Sequence, residues 1–578
     1  MLKLAKKRVS GWAVLFAVLF MVGQVITSLY LPNLTSDLVN YGVAKGDTNY
    51  IWSAGMKMLA VSVLSVVFSF GNVLLAAQTS QGLGKKLRQD IYSKVLNMSN
   101  DEFDQVGTSS LITRTTNDVV QIQNVAMMTL RMMIMAPIML VGASFMAYQK
   151  DAQLTSIFVV VIPIMVVFVG IVMFFAVPLF KAMQTKTDRL NLVFREGLTG
   201  VRVIRAFVRD QFEQKRFDDA NVDYTKNARK VYSIMAVMFP LMTLIMSGTN
   251  IAIIWNGGHL IANQAMAVGN MLAFMTYAMQ ILMSFMMLSM VFVFIPRGQA
   301  SADRINKVLD LKSDIKDNDQ PQVFTDDTAA SLDFDQVNFR YHGAEELALT
   351  GVDAHVKAGQ TLAIIGGTGS GKSTLINLIP RFYDVETGAV KVKGLNVKDV
   401  DQHALQDQIS LVPQKAVLFK GTLRENLRYG NPDATDDELW HALEIAQSAD
   451  FIKEADGLDT FVEQGGNNFS GGQKQRLAIA RALVKKASVY VFDDSFSALD
   501  FKTDANLRQA LREDALIQKA VVVIVGQRVS TVADADQIIV LDDGKMVGLG
   551  THTELKANNE TYREIVESQI KEGDDKNE

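Results

Sequence analysis

The sequence predicts two domains of different class, an N-terminal all-α domain of six transmembrane helices and a C-terminal α/β domain with a phosphate-binding loop. Nearly all the long apolar runs of the 578-residue chain lie in its first half. From Leu332 onward, short β-branched runs alternate with helical patterns, which is typical of a parallel α/β sheet. We therefore expect a membrane domain over residues 1–300, a linker over 301–331, an α/β domain over 332–570 and a disordered tail over 571–578.

Six stretches are apolar enough, and long enough at ~20 residues, to span a bilayer. They cover residues 11–31, 58–78, 127–148, 154–180, 232–259 and 268–296. The first follows a group of basic residues, as the apolar part of a signal peptide would. However, it stays apolar over its whole length and ends without a small-residue cleavage site, so we expect a retained span.

Two of the connecting loops, residues 79–126 and 181–231, are long, helical in pattern and rich in Lys and Arg. The shorter loops contain only Lys45, Lys57 and Lys150 as basic residues. The positive-inside rule therefore places the N-terminus and both long loops in the cytoplasm. The tips of the two loops would reach whatever lies beneath the membrane, although solvated helical hairpins are an equally good interpretation.

The composition excludes several kinds of site. The formal net charge of −4 is close to neutral for this length, so nothing indicates a nucleic-acid partner. The chain has no Cys, which excludes disulfides, thiolate metal sites and cysteine catalysis. With only 6 His, a metal site built from His is not expected either.

The strongest motif is an unbroken phosphate-binding loop between a predicted strand over 361–365 and a helix that starts near Ser373. Backbone N–H groups of such a loop surround phosphates, and the helix N-terminus adds a favourable field. Lys372 would reach the β- and γ-phosphates of a nucleotide, and the Ser373 hydroxyl would bind Mg²⁺. The predicted nucleotide-binding residues are Gly366, Gly367, Thr368, Gly369, Ser370, Gly371, Lys372, Ser373 and Thr374.

A further Mg²⁺ ligand is predicted at Asp493. An apolar run over 489–492 ends in this carboxylate, and a buried strand that delivers an acid beside a phosphate-binding loop is the usual second anchor of the ion. The pattern is weak alone because apolar runs ending in Asp are common. Its position downstream of the phosphate-binding loop, just after another glycine-containing motif, makes the interpretation strong.

That other motif leads into a helix rich in Arg and Ala, and it consists of Phe469, Ser470, Gly471, Gly472 and Gln473. With this motif the whole chain resembles an ATP-binding cassette (ABC) transporter of the exporter type, whose membrane domain precedes its cassette in one chain. The resemblance implies that the motif is the signature that binds the γ-phosphate of ATP held by a second cassette. Phe469 replaces the family's usual Leu, while the phosphate-contacting residues are kept.

The resemblance implies roles for further residues. Tyr341 matches the aromatic residue that stacks on adenine, a contact that contributes ~1–3 kcal/mol. Gln414 matches the glutamine that approaches Mg²⁺ and faces the membrane domain. Ser497 and Asp500 belong to the loop that contacts the opposite cassette. The loop tips near Asp104 and Phe212 match the coupling helices that dock on the cassettes.

Two residues depart from the family pattern. Asp494 stands where the family usually places the glutamate that polarises the attacking water, and Gln527 stands at the position of the switch histidine. Asp is one methylene shorter, and a misplacement of roughly 1 Å can cost about 10²-fold in rate. Gln can hydrogen-bond a phosphate but cannot carry a proton or a charge. Both changes are expected to weaken hydrolysis, and neither prevents ATP binding. The alternative is that Asp494 supports hydrolysis through a bridging water.

Such a pair of changes resembles the degenerate-site subunit of heterodimeric bacterial multidrug exporters of the LmrCD type. The resemblance implies a second half-transporter that carries Glu and His at the corresponding positions. This chain would supply Lys372, Asp494 and Gln527 to an impaired site, and its signature would complete the competent site of the partner. Hydrolysis would therefore run mainly at the site with the partner's phosphate-binding loop.

The sixth span carries Met residues at four-residue spacing. Met is flexible and polarisable, which suits surfaces that bind varied hydrophobic shapes. Packing against neighbouring helices is the alternative interpretation, and it is the more common one. Only Arg131 is charged within a predicted span, so an amphipathic or lipophilic cargo is favoured over an ionic one. The predicted cavity residues are Met275, Met279, Met283, Met286 and Met287.

The resemblance as a whole implies ATP-driven export of hydrophobic or amphipathic compounds across the bacterial cell membrane, with ATP and Mg²⁺ as cofactors. The N-terminus and the cassette would be cytoplasmic. The lipid membrane, a small hydrophobic substrate and the second half-transporter are the expected partners. A lipid flippase has the same layout, and an ATP-gated channel or regulator would tolerate a weakened ATP site; ionic current on reconstitution would identify the latter.

Overall fold

The computed structural model describes residues 1–311, 313, 315–325 and 327–574, and it divides into two compact units. The first unit comprises Met1–Leu96 and Thr108–Leu311. The second comprises Asn97–Gly107 together with the chain beyond Leu311. A short segment from the first long loop is therefore part of the second unit, although it lies far from the rest of that unit in sequence.

The first unit is all-α. The helices up to Leu309 are, in chain order, α1 (Leu2–Lys6), α2 (Gly11–Asp37), α3 (Thr48–Leu96), α4 (Asn100–Val106), α5 (Thr108–Thr113), α6 (Val119–Met128), α7 (Met135–Lys150), α8 (Ala152–Thr199), α9 (Val201–Ala206), α10 (Asp210–Ala262) and α11 (Val268–Leu309). Of these, α4 belongs to the second unit. Three π-helical segments extend or join them, at Leu38–Val43, Arg114–Asp118 and Thr129–Met133.

In the described part of the chain, six helical stretches are long and apolar enough to cross a membrane, which confirms the six predicted spans. They are Gly11–Val43, Thr48–Leu96, Thr108–Lys150, Ala152–Thr199, Asp210–Ala262 and Val268–Leu288. Helices α3, α8 and α10 have 49, 48 and 53 residues. At 1.5 Å per residue they are far longer than the ~30 Å hydrocarbon core, so the long loops are continuations of the spans.

The core of the first unit is apolar and contains a few buried hydrogen bonds. The rings of Phe158 and Phe274 stack with their centroids 5.1 Å apart, which joins α8 to α11. Tyr277, also on α11, is fully buried and donates its hydroxyl to the carbonyl oxygen of Leu29 on α2 over 3.0 Å. That hydrogen bond satisfies the only polar group of the side chain, as burial in an apolar core requires.

A charged pair joins the π-helical segment Arg114–Asp118 to α11. Asp118, at the end of a π-helical segment, is buried, with its side chain only 3% exposed. It accepts hydrogen bonds from Arg304 Nε at 2.8 Å and from Ser301 Oγ at 2.8 Å, and a further one from Arg304 Nη2. Arg304 itself is half-exposed, so its charge remains partly hydrated while the carboxylate is held by protein donors.

The second unit contains one large sheet with helices around it. Its strands are β1 (Ser331–Phe339), β2 (Leu349–Lys357), β3 (Thr361–Gly366), β4 (Thr387–Val392), β5 (Leu395–Asn396), β6 (Ile409–Val412), β7 (Gly421–Thr422), β8 (Phe461–Val462), β9 (Val489–Asp493), β10 (Val521–Val525), β11 (Gln537–Asp542) and β12 (Lys545–Gly550). Its helices after α11 are α12 (Lys372–Leu378), α13 (Gln402–Asp407), α14 (Leu423–Leu427), α15 (Asp436–Ile445), α16 (Ala449–Lys453), α17 (Gly471–Val484), α18 (Phe501–Glu513), α19 (Val529–Val532), α20 (His552–Asn558) and α21 (Glu560–Asp574).

The ten-stranded sheet has the order β5-β4-β1-β2-β12-β11-β3-β10-β9-β6, and β7 pairs with β8 separately. Strands β6, β9, β10, β3 and β11 are parallel, as predicted, and they are almost wholly buried. The prediction of a parallel sheet is incomplete, because β1, β2, β4, β5 and β12 form antiparallel pairs. Short connections such as the turn after β11 join antiparallel strands, whereas parallel strands need a longer crossover.

The boundaries of the elements differ from the predicted ones in detail. Helix α11 runs to Leu309, so the first part of the predicted linker over 301–331 is helical. Strand β1 begins at Ser331, next to the predicted domain start. Helix α21 runs to Asp574, into the stretch 571–578 for which the sequence predicts disorder, and residues 575–578 lie outside the described residues.

Candidate functional site

Three neighbouring parallel strands end at the same edge of the sheet and bring distant residues together. Strand β3 runs into the phosphate-binding loop, β9 ends at Asp493, and β10 ends two residues before Gln527. In the sheet order β3 lies next to β10, and β10 lies next to β9. Ligands of open α/β sheets bind outside the carboxyl ends of such strands. The site predicted from three separate motifs is therefore one place in the structure.

The phosphate-binding loop needs its glycines for steric reasons. A Cβ on Gly366 would lie 2.2 Å from the carbonyl oxygen of Leu541, so no larger residue fits there. Gly371 has φ of 95°, a left-handed conformation that favours Gly, and it precedes the first residue of α12. A Cβ at Gly367 or Gly369 would meet no atom within 4 Å, so the space beside these two residues is open. Open backbone around a helix start is the arrangement that phosphates occupy.

Lys372 lies across this loop. Its Nζ donates to the carbonyl oxygens of Gly366 at 2.9 Å and Gly367 at 2.6 Å. Burial lowers the pKa of the Lys372 ammonium, and the carboxylates of Asp494 and Asp493 oppose that shift. The cation is thus held by the loop and by nearby acids, and it can turn to phosphate oxygens when they are present.

Ser373 and Asp493 fit a Mg²⁺ site that a nucleotide completes. Ser373 Oγ lies 3.4 Å from both carboxylate oxygens of Asp493, so one small ion can contact both side chains. No cluster of three or more His, Cys, Asp or Glu side chains suited to a metal occurs among the residues that the structure describes. Mg²⁺ commonly uses one or two protein ligands together with phosphate oxygens and waters, so these residues suit it. The bound ion would neutralise part of the negative charge of the phosphates.

A pocket of about 290 Å³ lies beside the loop. Tyr341 forms part of its wall, and the Tyr341 hydroxyl lies 2.9 Å from Thr374 Oγ1. Four residues of its lining lie outside the set predicted from the sequence: Leu347, Ala348, Asp543 and Gly544. Asp543 and Gly544 have positive φ values of 44° and 74° and form the turn between β11 and β12. An Asp-Gly pair signals a tight turn, but only the sheet order brings that turn to β3.

Asp494 follows β9 directly and is held by two amides. Its Oδ2 accepts from Gln527 Nε2 at 2.8 Å and, more weakly, from Gln414 Nε2 at 3.4 Å. Burial raises the pKa of Asp494, and the hydrogen bonds from Gln414, Ser497 and Gln527 oppose the shift. The backbone at Asp494 has φ of 47°, a conformation that is uncommon outside Gly. The two positions that depart from the family pattern therefore touch each other, and Gln414 reaches the same carboxylate.

The signature motif stands at the start of α17. Ser470 caps the helix: its Oγ accepts from the Gln473 N–H at 3.3 Å, and Gln473 Oε1 accepts from the Ser470 N–H at 2.9 Å. A Cβ on Gly472 would meet the carbonyl oxygen of Ala498 at 3.2 Å, which keeps this turn close to the loop after β9. Among the described residues, the lining of the nucleotide pocket contains no residue of the signature. The two motifs thus form separate surfaces of one cassette.

Local hydrogen bonds also hold the loop after β9, which contains the predicted residues Ser497 and Asp500. Ser497 Oγ donates to the carbonyl oxygen of Asp494 at 2.9 Å. Asp500 caps α18, where it accepts from the Thr503 N–H at 2.9 Å and from the Thr503 hydroxyl at 2.8 Å. This loop therefore connects the Asp494 position to the start of α18 through a short hydrogen-bonded turn.

The two loop tips differ in their surroundings. The first forms α4, whose N-terminus carries a capping box between Ser99 and Glu102, and the segment Asn97–Gly107 belongs to the cassette unit. Asp104 on α4 is exposed. Phe212, in the second tip, belongs to the membrane unit and is 61% exposed.

The Met residues of α11 differ in exposure. Met279 and Met283 are 52% and 48% exposed, whereas Met275, Met286 and Met287 are half-buried. Between them, Phe274, Tyr277 and Ile281 are fully buried in the unit. The predicted cavity residues thus do not share one environment: Met279 and Met283 form an open face of α11, and the other three contribute in part to packing.

The sequence matches the family model described as ABC transporter transmembrane region over residues 14–285, and the model described as ABC transporter over residues 349–497. An uncharacterized ABC transporter ATP-binding protein of Mycobacterium tuberculosis is 42% identical over 98% of this chain and 98% of its own length. The uncharacterized ABC transporter ATP-binding protein YfiB of Bacillus subtilis is 34% identical over 96% of each chain. An ATP-dependent lipid A-core flippase of Desulfotalea psychrophila is 30% identical over 90% of this chain and 91% of its own.

A solved structure of a bacterial Atm1-family ABC exporter with ATP bound matches the fold with a TM-score of 0.79. The match covers 96% of this chain and 98% of that chain, at 24% sequence identity. The membrane helices and the cassette sheet thus occur in the same order as in a known exporter. The chain therefore belongs to the ABC transporters, and it has the fold of an ABC exporter half in which the membrane domain and the ATP-binding cassette are fused.

Proposed function

We propose that this chain is one half of a heterodimeric exporter and that ATP at its own phosphate-binding loop is bound but hydrolysed slowly. The observation that carries the proposal is the hydrogen bond from Gln527 Nε2 to Asp494 Oδ2 at 2.8 Å. In the family pattern these two positions hold the glutamate that polarises water and the switch histidine. Here they hold a shorter acid and an amide that bind each other.

The chemistry of this pair favours binding over hydrolysis. A general base must lie within hydrogen-bond reach of the proton that it removes, and a shorter side chain withdraws the carboxylate by roughly 1 Å. Gln527 occupies an oxygen of that carboxylate and cannot supply the charge that a protonated histidine supplies. Lys372, Ser373 and Asp493, which would hold the phosphates and Mg²⁺, are the residue types that this role needs.

The signature surface would complete the site of a partner cassette. Ser470 caps α17, which has 14 residues, and the N–H groups of Gly471 and Gly472 at its N-terminus favour an anion. In the proposed dimer this surface faces the γ-phosphate of ATP held by the partner's phosphate-binding loop. The partner would carry Glu and His at the positions of Asp494 and Gln527, and most of the turnover would occur there.

We further propose that the cargo is a hydrophobic or amphipathic compound. The open face of α11 with Met279 and Met283 would contact it, since thioether side chains adapt to varied apolar shapes. The exposed tip with Phe212 would dock on the partner's cassette, and α4 with Asp104 would follow movements of its own cassette. Closure of the cassettes on ATP would thereby reach the membrane helices.

The test is ATP hydrolysis by the purified full-length chain without a partner. We expect retained binding of a fluorescent ATP analogue and phosphate release close to that of the Lys372→Ala variant. Rapid, Lys372-dependent hydrolysis by the chain alone would contradict the proposal. Addition of a co-expressed half-transporter with Glu and His at the two positions is expected to restore turnover, and removal of this chain's signature by Ser470→Arg is expected to abolish it again.

Lipid export is the second candidate function. It is favoured by the resemblance to the ATP-dependent lipid A-core flippase of Desulfotalea psychrophila, which extends over nine-tenths of each chain. The two cargoes are distinguished by reconstituting the active complex in vesicles and following an amphipathic dye and a fluorescent phospholipid in parallel. ATP-dependent movement of the lipid alone would assign the flippase function, and accumulation of the dye would assign drug export.

A further inference from the structure

The C-terminal helix α21 contacts the loop that carries Gln527. Gln569 of this helix donates from Nε2 to the carbonyl oxygen of Gln527 at 2.7 Å, and its Oε1 accepts from the N–H of Val529 at 2.8 Å. One side-chain amide therefore uses both of its polar groups on two backbone groups, which lie on either side of Arg528. The partners are 42 and 40 residues away in the chain, so this is a tertiary contact and not a local turn.

Two buried residues hold α21 in the place from which Gln569 reaches this loop. Tyr562 is fully buried, and its hydroxyl lies 2.7 Å from His552 Nδ1. Val566, one turn later, is also buried, and both residues pack against apolar side chains of β3 and β11. Positions 562, 566 and 569 are spaced by four and three residues, so they lie on one face of the helix. The packing of α21 on the sheet therefore directs Gln569 toward the loop after β10.

Gln569 also supplies a cap that α19 lacks. Val529 is the first residue of α19, so its N–H has no acceptor within that helix. Arg528, the N-cap residue, makes no side-chain capping hydrogen bond, and its guanidinium carbon lies 5.3 Å from the ring centroid of Phe501. The acceptor comes instead from Gln569 of another helix. The backbone of this loop is thereby fixed at the carbonyl group of Gln527 and, two residues on, at an N–H.

We propose that Gln569 is a positioning residue: by holding the backbone of Gln527, it fixes the direction of the Gln527 amide at the nucleotide site. That amide donates from Nε2 to Asp494 Oδ2 at 2.8 Å, so a series of hydrogen bonds leads from α21 to the acid that follows β9. This role rests on the proposed function, in which ATP binds at the chain's own phosphate-binding loop and Gln527 can donate to its γ-phosphate.

The physical basis is that the Gln527 side chain is exposed, so packing does not fix its direction. Its direction depends on its backbone and on its hydrogen bonds. Without the contacts of Gln569 the loop would be free to shift, and a misplacement of roughly 1 Å is enough to weaken a positioned interaction strongly. ADP has no γ-phosphate, so its binding should not depend on the Gln527 amide. The alternative is that Gln569 only attaches α21 to the cassette, which would affect both nucleotides alike.

A double-mutant cycle separates positioning from attachment. The full-length chain is reconstituted in nanodiscs as the parent, Gln569→Ala, Gln527→Ala and the double variant. The control is Gln509→Ala, at an exposed Gln of α18 whose amide donates to Glu513 of the same helix. With Mg²⁺ present, the dissociation constants of ADP and of a non-hydrolysable ATP analogue, both with the same fluorophore, are measured for each variant. The midpoint of thermal unfolding without nucleotide is measured in parallel.

We expect Gln527→Ala to raise the Kd of the ATP analogue about tenfold, as for the loss of one hydrogen bond to a charged group, and Gln569→Ala to raise it about two- to fivefold. The Kd of ADP should stay that of the parent in both variants. In the Gln527→Ala background, Gln569→Ala should leave both dissociation constants unchanged, although it lowers the unfolding midpoint equally in both backgrounds. Gln509→Ala should match the parent throughout.

An unchanged ratio of the two dissociation constants in Gln569→Ala would overturn the proposal. An equal rise for ADP and for the ATP analogue would overturn it as well, as would the same rise with and without the Gln527 side chain. If Gln527→Ala itself leaves the ratio unchanged, there is no amide to position and the proposal is equally wrong. None of these outcomes decides the proposed function, which is tested separately by phosphate release from the chain alone.

Discussion

Gln527 donates from Nε2 to Oδ2 of Asp494 across 2.8 Å, so the two residues that depart from the family pattern are one hydrogen-bonded unit. Each side chain satisfies a polar group of the other at the edge of the sheet. Residues in direct contact do not contribute independently to a rate or a stability. Changing either residue alone would alter this shared hydrogen bond, so the pair has to be tested together.

The double variant Asp494→Glu with Gln527→His should therefore gain more than the sum of its single variants. We expect phosphate release by the chain to rise about 10²-fold in the double variant, since a correctly placed base accounts for gains of that size. Each single variant should gain much less, because one half of the catalytic pair is still missing. The measurement is turnover at saturating Mg²⁺ and ATP, with Lys372→Ala added to the double variant as background. Equal gains from Asp494→Glu alone and from the double variant would show that Gln527 has no part in the defect.

The sequence predicts the components of this site better than their contacts. The phosphate-binding loop is a local pattern whose strand and helix lie on either side of it, so Gly366 to Thr374 could be identified without a structure. Asp494 and Gln527 could be found individually, but their contact depends on β9 and β10 being neighbours in the sheet. Asp543 and Gly544 line the pocket only because β11 pairs with β3, and nothing local to that turn indicates it.

The membrane unit shows the same limit. Six spans follow from composition and length, which are local properties. The side of α11 that is open could not be predicted, because apolar residues occur on every face of that helix and periodicity then carries no information. Likewise, the membership of Asn97–Gly107 in the cassette unit depends on tertiary contacts.

Asp493 should make the nucleotide-free cassette less stable at neutral pH. Burial raises the pKa of the Asp493 carboxyl, with Ser373 opposing and Asp494 adding to the shift. The folded state therefore holds this proton more tightly than the unfolded chain does. The resulting penalty is absent below the ordinary carboxyl pKa of about 3.9, and it grows as the pH rises through that value to the higher folded one.

Asp493→Asn removes this penalty together with the Mg²⁺ ligand. Without nucleotide at pH 7.5 the variant should unfold at a higher temperature than the parent, and its advantage should shrink as the pH is lowered toward the carboxyl range. The stabilisation that Mg²⁺ and ATP give to the parent should be largely lost. Asp433→Asn, at an exposed position, is the matched control and should behave like the parent. A variant less stable than the parent without nucleotide at pH 7.5 would contradict the argument.

The pair of Asp118 and Arg304 should contribute more to stability than the exposed ion pairs of the same unit. Asp118→Asn keeps the shape of the side chain but removes the charge that accepts from Arg304 and Ser301. Removing one partner of a buried pair costs about 3–5 kcal/mol, and we expect less, about 1–3 kcal/mol, because Arg304 is 49% exposed and can be hydrated.

Thermal unfolding of the detergent-solubilised chain, followed by size-exclusion fluorescence, measures this difference. Asp118→Asn should lower the midpoint by several degrees. Arg216→Gln, which removes an exposed pair with Glu196, should shift it little, since exposed ion pairs are screened by solvent and contribute little to stability. Equal shifts in the two variants would mean that the buried position of Asp118 has no special energetic role.

The open face of α11 can be tested for cargo contact by removing its two exposed thioethers. Burying a Met side chain against a ligand contributes about 1.5–3 kcal/mol, so Met279→Ala with Met283→Ala should raise the apparent KM for a transported dye at least about tenfold. Basal ATP hydrolysis should stay unchanged, because neither residue lies in the cassette. Met56→Ala, on α3 and 61% exposed, removes a thioether of similar exposure from another helix and is the control. If the double variant and Met56→Ala transport the dye equally well, the Met residues of α11 serve packing or contact with lipid, and the cargo is bound elsewhere.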